Sequence, residues 1–309
     1  MKTTNAPIAL FVYNRPWHTR QTLEALVANA EANRTDLYVF SDAPRTSADT
    51  QAVAEVRSYL RTISGFQSIT MVEREINLGL AKSIVDGVTR VCDAHGRVIV
   101  LEDDLVTSPY FLDFVNKALD FYERDDRVVS IAGYSFPLSC QLASSTYFLK
   151  GTNSWGWATW KRGWDQFEAD ARRLLDQLHQ ARLSREFDIG GAYPYTNMLN
   201  LQVAGKIDSW AIRWHASAFL RDRLTLYPSR SLVRNIGLDG SGVHCSRLDF
   251  NPFEVELSGD PVSVASIAVE EDTRVRKCLE AYFRRVMRMR WWNAIRRPRP
   301  ALKRLLGMR

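Results

Sequence analysis

Val98-Ile99-Val100-Leu101-Glu102-Asp103-Asp104-Leu105 carries the decisive pattern: four apolar residues run straight into three carboxylates. A short unbroken apolar run is the mark of a strand buried on both faces, as in parallel sheets covered by helices. The acids stand where such a strand ends. Adjacent carboxylates repel, and burying them without a partner costs on the order of several kcal/mol. A divalent cation relieves that cost. Hard oxygen ligands suit Mg2+ or Mn2+, ions that also bind phosphate oxygens. Consecutive side chains point in different directions, so only one of Asp103 and Asp104 is expected to touch a metal directly. The competing reading is a solvated acidic loop in which Asp104 or Ser108 caps the next helix. The position at the end of a buried strand favours the metal.

Upstream of this strand, two kinds of element alternate. Ile8 to Tyr13 (IALFVY) is another continuous apolar run. Leu23, Leu26 and Val27 have helical spacing and predict a helix over 20–30. A strand over 36–40 (DLYVF) ends in Ser41-Asp42-Ala43-Pro44, and a helix over 50–62, a short strand over 68–72 and a helix over 80–92 follow. Beyond the strand at 97–101, a helix is expected over 108–122, capped by Ser108 with Pro109 in first position. A strand over 128–132 comes next. This order implies an α/β fold: a mostly parallel, Rossmann-like sheet with helices on both faces. Such sheets bind ligands at the carboxyl ends of their strands. Three expected strand ends are polar: Asn14-Arg15, Ser41-Asp42 and Glu102-Asp103-Asp104. From about residue 136 the segments shorten, and tryptophans gather at 155, 157, 160, 164, 210 and 214.

Composition narrows the class. The chain has 309 residues, 46% apolar and 25% charged, ordinary for a globular protein. No run approaches the roughly 20 apolar residues needed to span a bilayer, and the apolar stretch near the N-terminus is too short for a signal-peptide core. Cys92, Cys140, Cys245 and Cys278 show no C-x-x-C spacing, which argues against a zinc site or a disulfide framework and leads to the expectation of a reducing, cytoplasmic setting. The net charge of +6 is unevenly placed: residues 274–309 carry thirteen Lys and Arg against one acid, +12, leaving the rest at −6. Anion binding must therefore be argued locally.

The stretch VIVLEDDLVTSPYFLDFVNKALDFYERDDRVVSIAGYS resembles the metal-binding segment of N-acetylglucosaminyltransferase I and its relatives, inverting glycosyltransferases of the GT-A fold, and of bacterial family-2-like polysaccharide glycosyltransferases. The resemblance implies that Asp104 holds Mn2+ or Mg2+, with Asp103 and Glu102 facing the donor ribose and sugar. It continues in order over roughly residues 7 to 245. IALFVYNRPWHTRQTLEAL is similar to the family's first strand and helix, implying nucleotide contacts for Asn14 and Arg15, and an arginine fork suits a diphosphate. YVFSDAP maps a base-binding acid onto Asp42. REINLGLAKSI maps donor contacts onto Asn77, Gly79 and Lys82. FLKGTNSWGWATWKRGW is similar to a G-x-G-W stretch; Ser154 replaces its first glycine, while Gly156 and Trp157 remain. Trp157 and Trp210 are then expected beside the donor, where an indole can stack on a sugar, although clustered tryptophans are most often core. GKIDSWAIRW is similar to a W-D-D-W stretch whose first acid is the catalytic base. Aligned on the second tryptophan, that acid is Asp208, with Ile207 and Ser209 departing from the pattern. The plainer reading makes Asp208 the cap of a helix over 209–219. PSRSLVRNIGLDGSGVH is similar to a loop that orders over the bound donor; its three glycines, 237, 240 and 242, suit a lid, and His244 is a candidate for the diphosphate or the metal.

Together these imply a GT-A enzyme with a nucleotide-sugar-binding half over 1–135, an acceptor and catalytic half of the same domain over 136–272, and a basic amphipathic tail over 273–309. The expected donor is a nucleotide-diphosphate-sugar, UDP by default; the expected acceptor is a glycan or lipid-linked glycan in bacterial surface polysaccharide assembly. The tail suits an anionic membrane surface on the inner face of the cell membrane; its alternative is a helix packed on the body. Nucleic acid is not an expected partner, because no known binding motif is present and the body is acidic. A sugar nucleotidyltransferase is the rival enzyme, but the Gly-rich phosphate loop it needs after the first strand is missing. A non-catalytic nucleotide-sugar or glycan-binding protein is the other alternative.

Overall fold

The computed structural model describes residues 5–239 and 251–296. Its centre is an eight-stranded mixed sheet. The first four strands are β1 (Ile8–Val12), β2 (Asp36–Ser41), β3 (Ser68–Glu73) and β4 (Arg97–Glu102), lying side by side and parallel in the order β3-β2-β1-β4. The chain builds outward from β1 in one direction through β2 and β3, then returns to place β4 on the other side of β1. In α/β sheets such a reversal is where ligands bind, in the crevice outside the carboxyl ends of the two strands concerned, here β1 and β4. All five residues of β1 are buried, as are Val98 to Leu101 of β4, which is why both read as unbroken apolar runs.

The helices cover both faces. On one side Leu23 and Leu26 of α1 (Pro16–Val27), Val56 and Leu60 of α2 (Thr50–Leu60), and Phe111, Phe114 and Val115 of α4 (Phe111–Phe121) pack on Ile8, Leu10, Ile99 and Leu101. On the other, Ala81, Ile84 and Val88 of α3 (Leu80–His95) pack on Ala9, Phe11, Val98 and Val100. Two helix starts differ from expectation. α1 begins at Pro16, which takes its first position with φ already suited to a helix; its first turn buries the polar His18 and Thr19, so apolar spacing did not mark it. α4 begins at Phe111, not Ser108, because Leu105–Thr107 forms a short strand, β5, and the Ser108 hydroxyl donates instead to the Ser258 carbonyl at 2.8 Å.

The sheet continues as β8-β6-β9-β7, from β6 (Val128–Ala132), β7 (Thr146–Lys150), β8 (Trp157–Trp160) and β9 (Leu224–Pro228). β8 runs antiparallel between β4 and β6, whereas β6 and β9 are parallel. The fold is therefore the expected α/β class, parallel in its first half and mixed in its second. β10 (Val233–Asn235) pairs antiparallel with β5 outside the main sheet. Small helices α5 (Lys161–Trp164), α6 (Ala171–Gln180), α7 (Ser184–Phe187) and α8 (Tyr195–Val203) lead to α9 (Trp210–Leu220), which lies beside α3.

One sequence expectation needs correction here. Cys140 and Cys278 are joined in a disulfide across 138 residues, a pairing that no spacing rule could show; the premise for a reducing compartment is thereby removed. Cys92 is free and buried. The start of the basic tail packs on the body, the alternative that the sequence left open. It forms α10 (Thr273–Arg296), whose Val275, Leu279, Phe283 and Val286 are buried, the first three against Tyr147, Tyr227 and Ile189. Among the described residues no helix is long and apolar enough to cross a membrane.

Candidate active site

The crevice between β1 and β4 collects four ionisable side chains. β4 ends at Glu102, and the chain turns through Asp103 and Asp104 into β5. α1 fixes that turn: the Thr22 hydroxyl donates to the Asp103 carbonyl at 2.8 Å. β1 leads through Asn14 into Arg15, the residue before α1. The Arg15 guanidinium pairs with both aspartates, through Nη2 to Asp103 Oδ1 and through Nη2 to Asp104 Oδ2 at 2.9 Å. Asp103 and Asp104 are buried and Glu102 is half-buried. Burial, then repulsion from Asp104 and Asp103, pushes Glu102 up to about 8. Asp103 is also raised, burial outweighing the opposing pull of Arg15. Burial works against the Arg15 charge, but the two aspartates win and its pKa is raised. One cation thus faces three crowded acids, a crowding relieved either by a proton, as on Glu102, or by a further positive partner.

β10 closes the crevice from the other side. The Ile236 amide donates to the Asp104 carbonyl at 2.9 Å. Gly237 lies directly on the Asp104 carboxylate and the Arg15 guanidinium, so that a Cβ there would collide with Asp104. The sequence presents Gly237 as lid flexibility; the structure shows a close approach that only glycine permits. Gly240, Gly242 and His244 lie outside the described residues. Beside this turn, Asp239 meets the buried His18 at 3.2 Å.

The neighbouring strand ends serve architecture. Asp42 is buried, and its carboxylate accepts from the backbone amides of Ala43, Leu78 and Gly79 at 2.9–3.0 Å. Asn77 answers by donating to the Ala43 carbonyl at 2.6 Å. The pair clasps the β2 end to the turn before α3, and Gly79 takes the positive φ of 75° that this turn requires. Lys82 is exposed in the first turn of α3. Asn14 donates to Asp49 at 2.8 Å, tying the β1 end to the turn over Thr46–Asp49. Arg57, which sequence reasoning missed, donates to the carbonyls of Ser41, Asp42 and Arg74 and so binds the ends of β2 and β3 together. Nothing local marks it, since its partners, the three carbonyls together with the Ser41 hydroxyl and the Glu73 carboxylate, come from other elements.

The tryptophan expectations are corrected. Trp157 is fully buried and Trp210 nearly so; they stack on each other at 5.4 Å within a cluster that also holds Trp164 and Trp214. Neither indole offers a face to a sugar. Gly156 adopts φ 58° and admits the Val233 side chain of β10, a packing role. This stack does position α9. Trp157 is opposite Val100 on β4, and Trp210 is the first residue of α9, so the start of α9 packs beside the last residues of β4. Asp208, two residues before α9, is 61% exposed, with Oδ1 accepting from Arg213 at 3.0 Å. The cap of α9 is Ser209, whose hydroxyl accepts from the Ile212 amide, and not Asp208.

Among the described residues no group of three or more His, Cys, Asp or Glu converges as a metal-ligand set. The residues do fit an ion that arrives with phosphate, because Mg2+-like ions characteristically take one or two protein carboxylates and fill the remaining positions with phosphate oxygens and water. Asp104 is the expected carboxylate; its Oδ2 is held by Arg15 at 2.9 Å and Gly237 lies against it, so an ion there shares or replaces the arginine contact.

The sequence matches no protein-family model and no curated protein. Among solved structures the chain is similar to S. aureus TarS, with 12% identity and a TM-score of 0.41 over 75% of this chain and 37% of that one. The chain spans little more than a third of the length of TarS, and a likeness at that level carries no argument about function.

Proposed function

We propose that the protein is a glycosyltransferase that moves a sugar from a nucleotide-diphosphate donor, UDP-sugar by default, to an acceptor hydroxyl with inversion. The observation that carries this reading is the crevice at the sheet's reversal point, where Glu102, Asp103 and Asp104 face a single arginine. A nucleotide-diphosphate is a ligand whose charge needs both features: Arg15 for its oxygens, and Asp104 for a divalent ion shared with them. Bound there, Mn2+ or Mg2+ would neutralise the leaving diphosphate. Arg15 would orient the diphosphate, and Gly237 would let β10 close on the site without a clash. Asp208, carried at the start of α9, would take the proton from the acceptor hydroxyl on the side away from the leaving group, as a one-step inversion needs. The acceptor is proposed as a glycan or lipid-linked glycan in bacterial surface polysaccharide assembly, a step that rests on the sequence resemblance.

The test is hydrolysis and transfer of a panel of nucleotide-sugars, with and without Mn2+, by the wild type and Asp104→Asn. Cleavage that needs the metal and is lost in the variant is the expected result. Release of pyrophosphate from a nucleoside triphosphate and a sugar phosphate would assign the nucleotidyltransferase reaction instead, and tight donor binding without any turnover would assign a binding protein.

A further inference from the structure

α10 presents two unlike faces. Val275, Leu279, Phe283 and Val286 are buried in the body. On the opposite side Arg274, Lys277, Arg285 and Arg288 are all exposed, and among the described residues none of the four forms an ion pair. At 3.6 residues per turn they fall within an arc of roughly 80° and extend for about 21 Å along the helix. The nearby acids are otherwise engaged, apart from the exposed Glu270 just before the helix. Glu280 is paired with Arg284 at 2.6 Å, Glu186 meets Lys150 at 3.3 Å, and Asp272 caps the start of α10 by accepting from the amides of Arg274 and Val275. The stripe is therefore a line of uncompensated positive charge on a helix whose position is fixed by its core contacts and by the Cys140–Cys278 disulfide.

We propose that this stripe docks the protein on an anionic lipid surface, with the axis of α10 parallel to the membrane plane. The apolar face of α10 is already occupied by the body, so attachment over this segment is electrostatic and does not need the helix to insert. A single- or double-stranded nucleic acid is the less suitable partner. Strand-binding faces interleave stacking aromatics with their cations along a groove, whereas the stripe has no aromatic residue among its four cations. The proposal does not depend on the reaction at the acidic crevice.

The full-length protein should be sedimented with vesicles of phosphatidylcholine alone and of phosphatidylcholine with phosphatidylserine, at low and high salt. The variant is Arg274→Gln, Lys277→Gln, Arg285→Gln and Arg288→Gln together, all at exposed positions that leave the core face untouched. Binding should require phosphatidylserine, fall as salt shortens the screening length, and weaken at least about tenfold in the variant. A companion variant with lysine at the three arginine positions should retain binding, which separates charge from fold. Unchanged binding by the glutamine variant, or equal binding to both vesicle types, would overturn the proposal. So would single-stranded RNA that binds through the same four residues and displaces the protein from vesicles, which would assign the stripe to nucleic acid.

Discussion

Arg15 holds Asp103 and Asp104 with one guanidinium, and a cation reaching Asp104 must displace or share that contact. Arg15→Gln is therefore expected to bind Mn2+ in the absence of nucleotide more tightly than the wild type, by roughly tenfold, the scale of one charge-assisted hydrogen bond. Its affinity for UDP should fall at the same time. Titration calorimetry with Mn2+ alone, UDP alone and both checks this; equal Mn2+ affinity in the two proteins would mean that arginine and metal do not compete. Asp208→Asn should keep donor affinity and lower transfer by roughly 10²–10⁴-fold, the usual loss for a general base. Near-normal transfer would leave Asp208 only its contact with Arg213. The acids at the end of β4 and the arginine after β1 were legible in the sequence because an apolar strand points to its own end. Trp157 and Trp210 were not, because an indole suits a core and a sugar face equally and only burial separates the two. Asp42 was legible as a polar strand end, but its hold on the Leu78 and Gly79 amides depends on a turn that the sequence does not place.

At the scale of elements, α10 is where the sequence was most incomplete. Its basic charge and helical spacing could be read directly. Its destination could not, since an amphipathic stripe does not say which apolar surface it meets. Truncation after Asp272 would remove Val275, Leu279, Phe283 and Val286 from the core along with the disulfide partner of Cys140. Each buried apolar side chain contributes about 1.5–3 kcal/mol, so the loss is comparable with the whole margin of about 5–15 kcal/mol that keeps a domain folded. The truncated chain is expected to be insoluble or to lose its cooperative thermal transition, as followed by circular dichroism. A soluble truncated protein with an unchanged transition would mean that α10 adds little to the fold. β5 and β10 escaped for a different reason: strands of three residues are too short to show any period.

At the scale of the whole molecule, the alternation of strand and helix through residue 132 gave away the parallel half, while the mixed half stayed hidden because its neighbours in space are far apart in sequence. β8, formed by Trp157–Trp160, lies between β4 and β6, two strands made well before it. The division at residue 135 therefore does not separate folding units. A fragment ending there has both strands but lacks the one that joins them, and unpaired strand edges invite association with other chains. Residues 1–135 expressed alone should aggregate, whereas the full chain should not; sedimentation of the two decides it, and a monomeric, folded fragment would contradict the reasoning. The same order of events applies on the ribosome. While the chain is being made, β4 and β6 emerge with bare edges and wait for β8, and β6 then waits for β9, more than sixty residues later still. A nascent chain of this protein therefore spends much of its synthesis with its sheet open down the middle, so its yield in a cell should depend on chaperone supply more steeply than the finished fold would suggest.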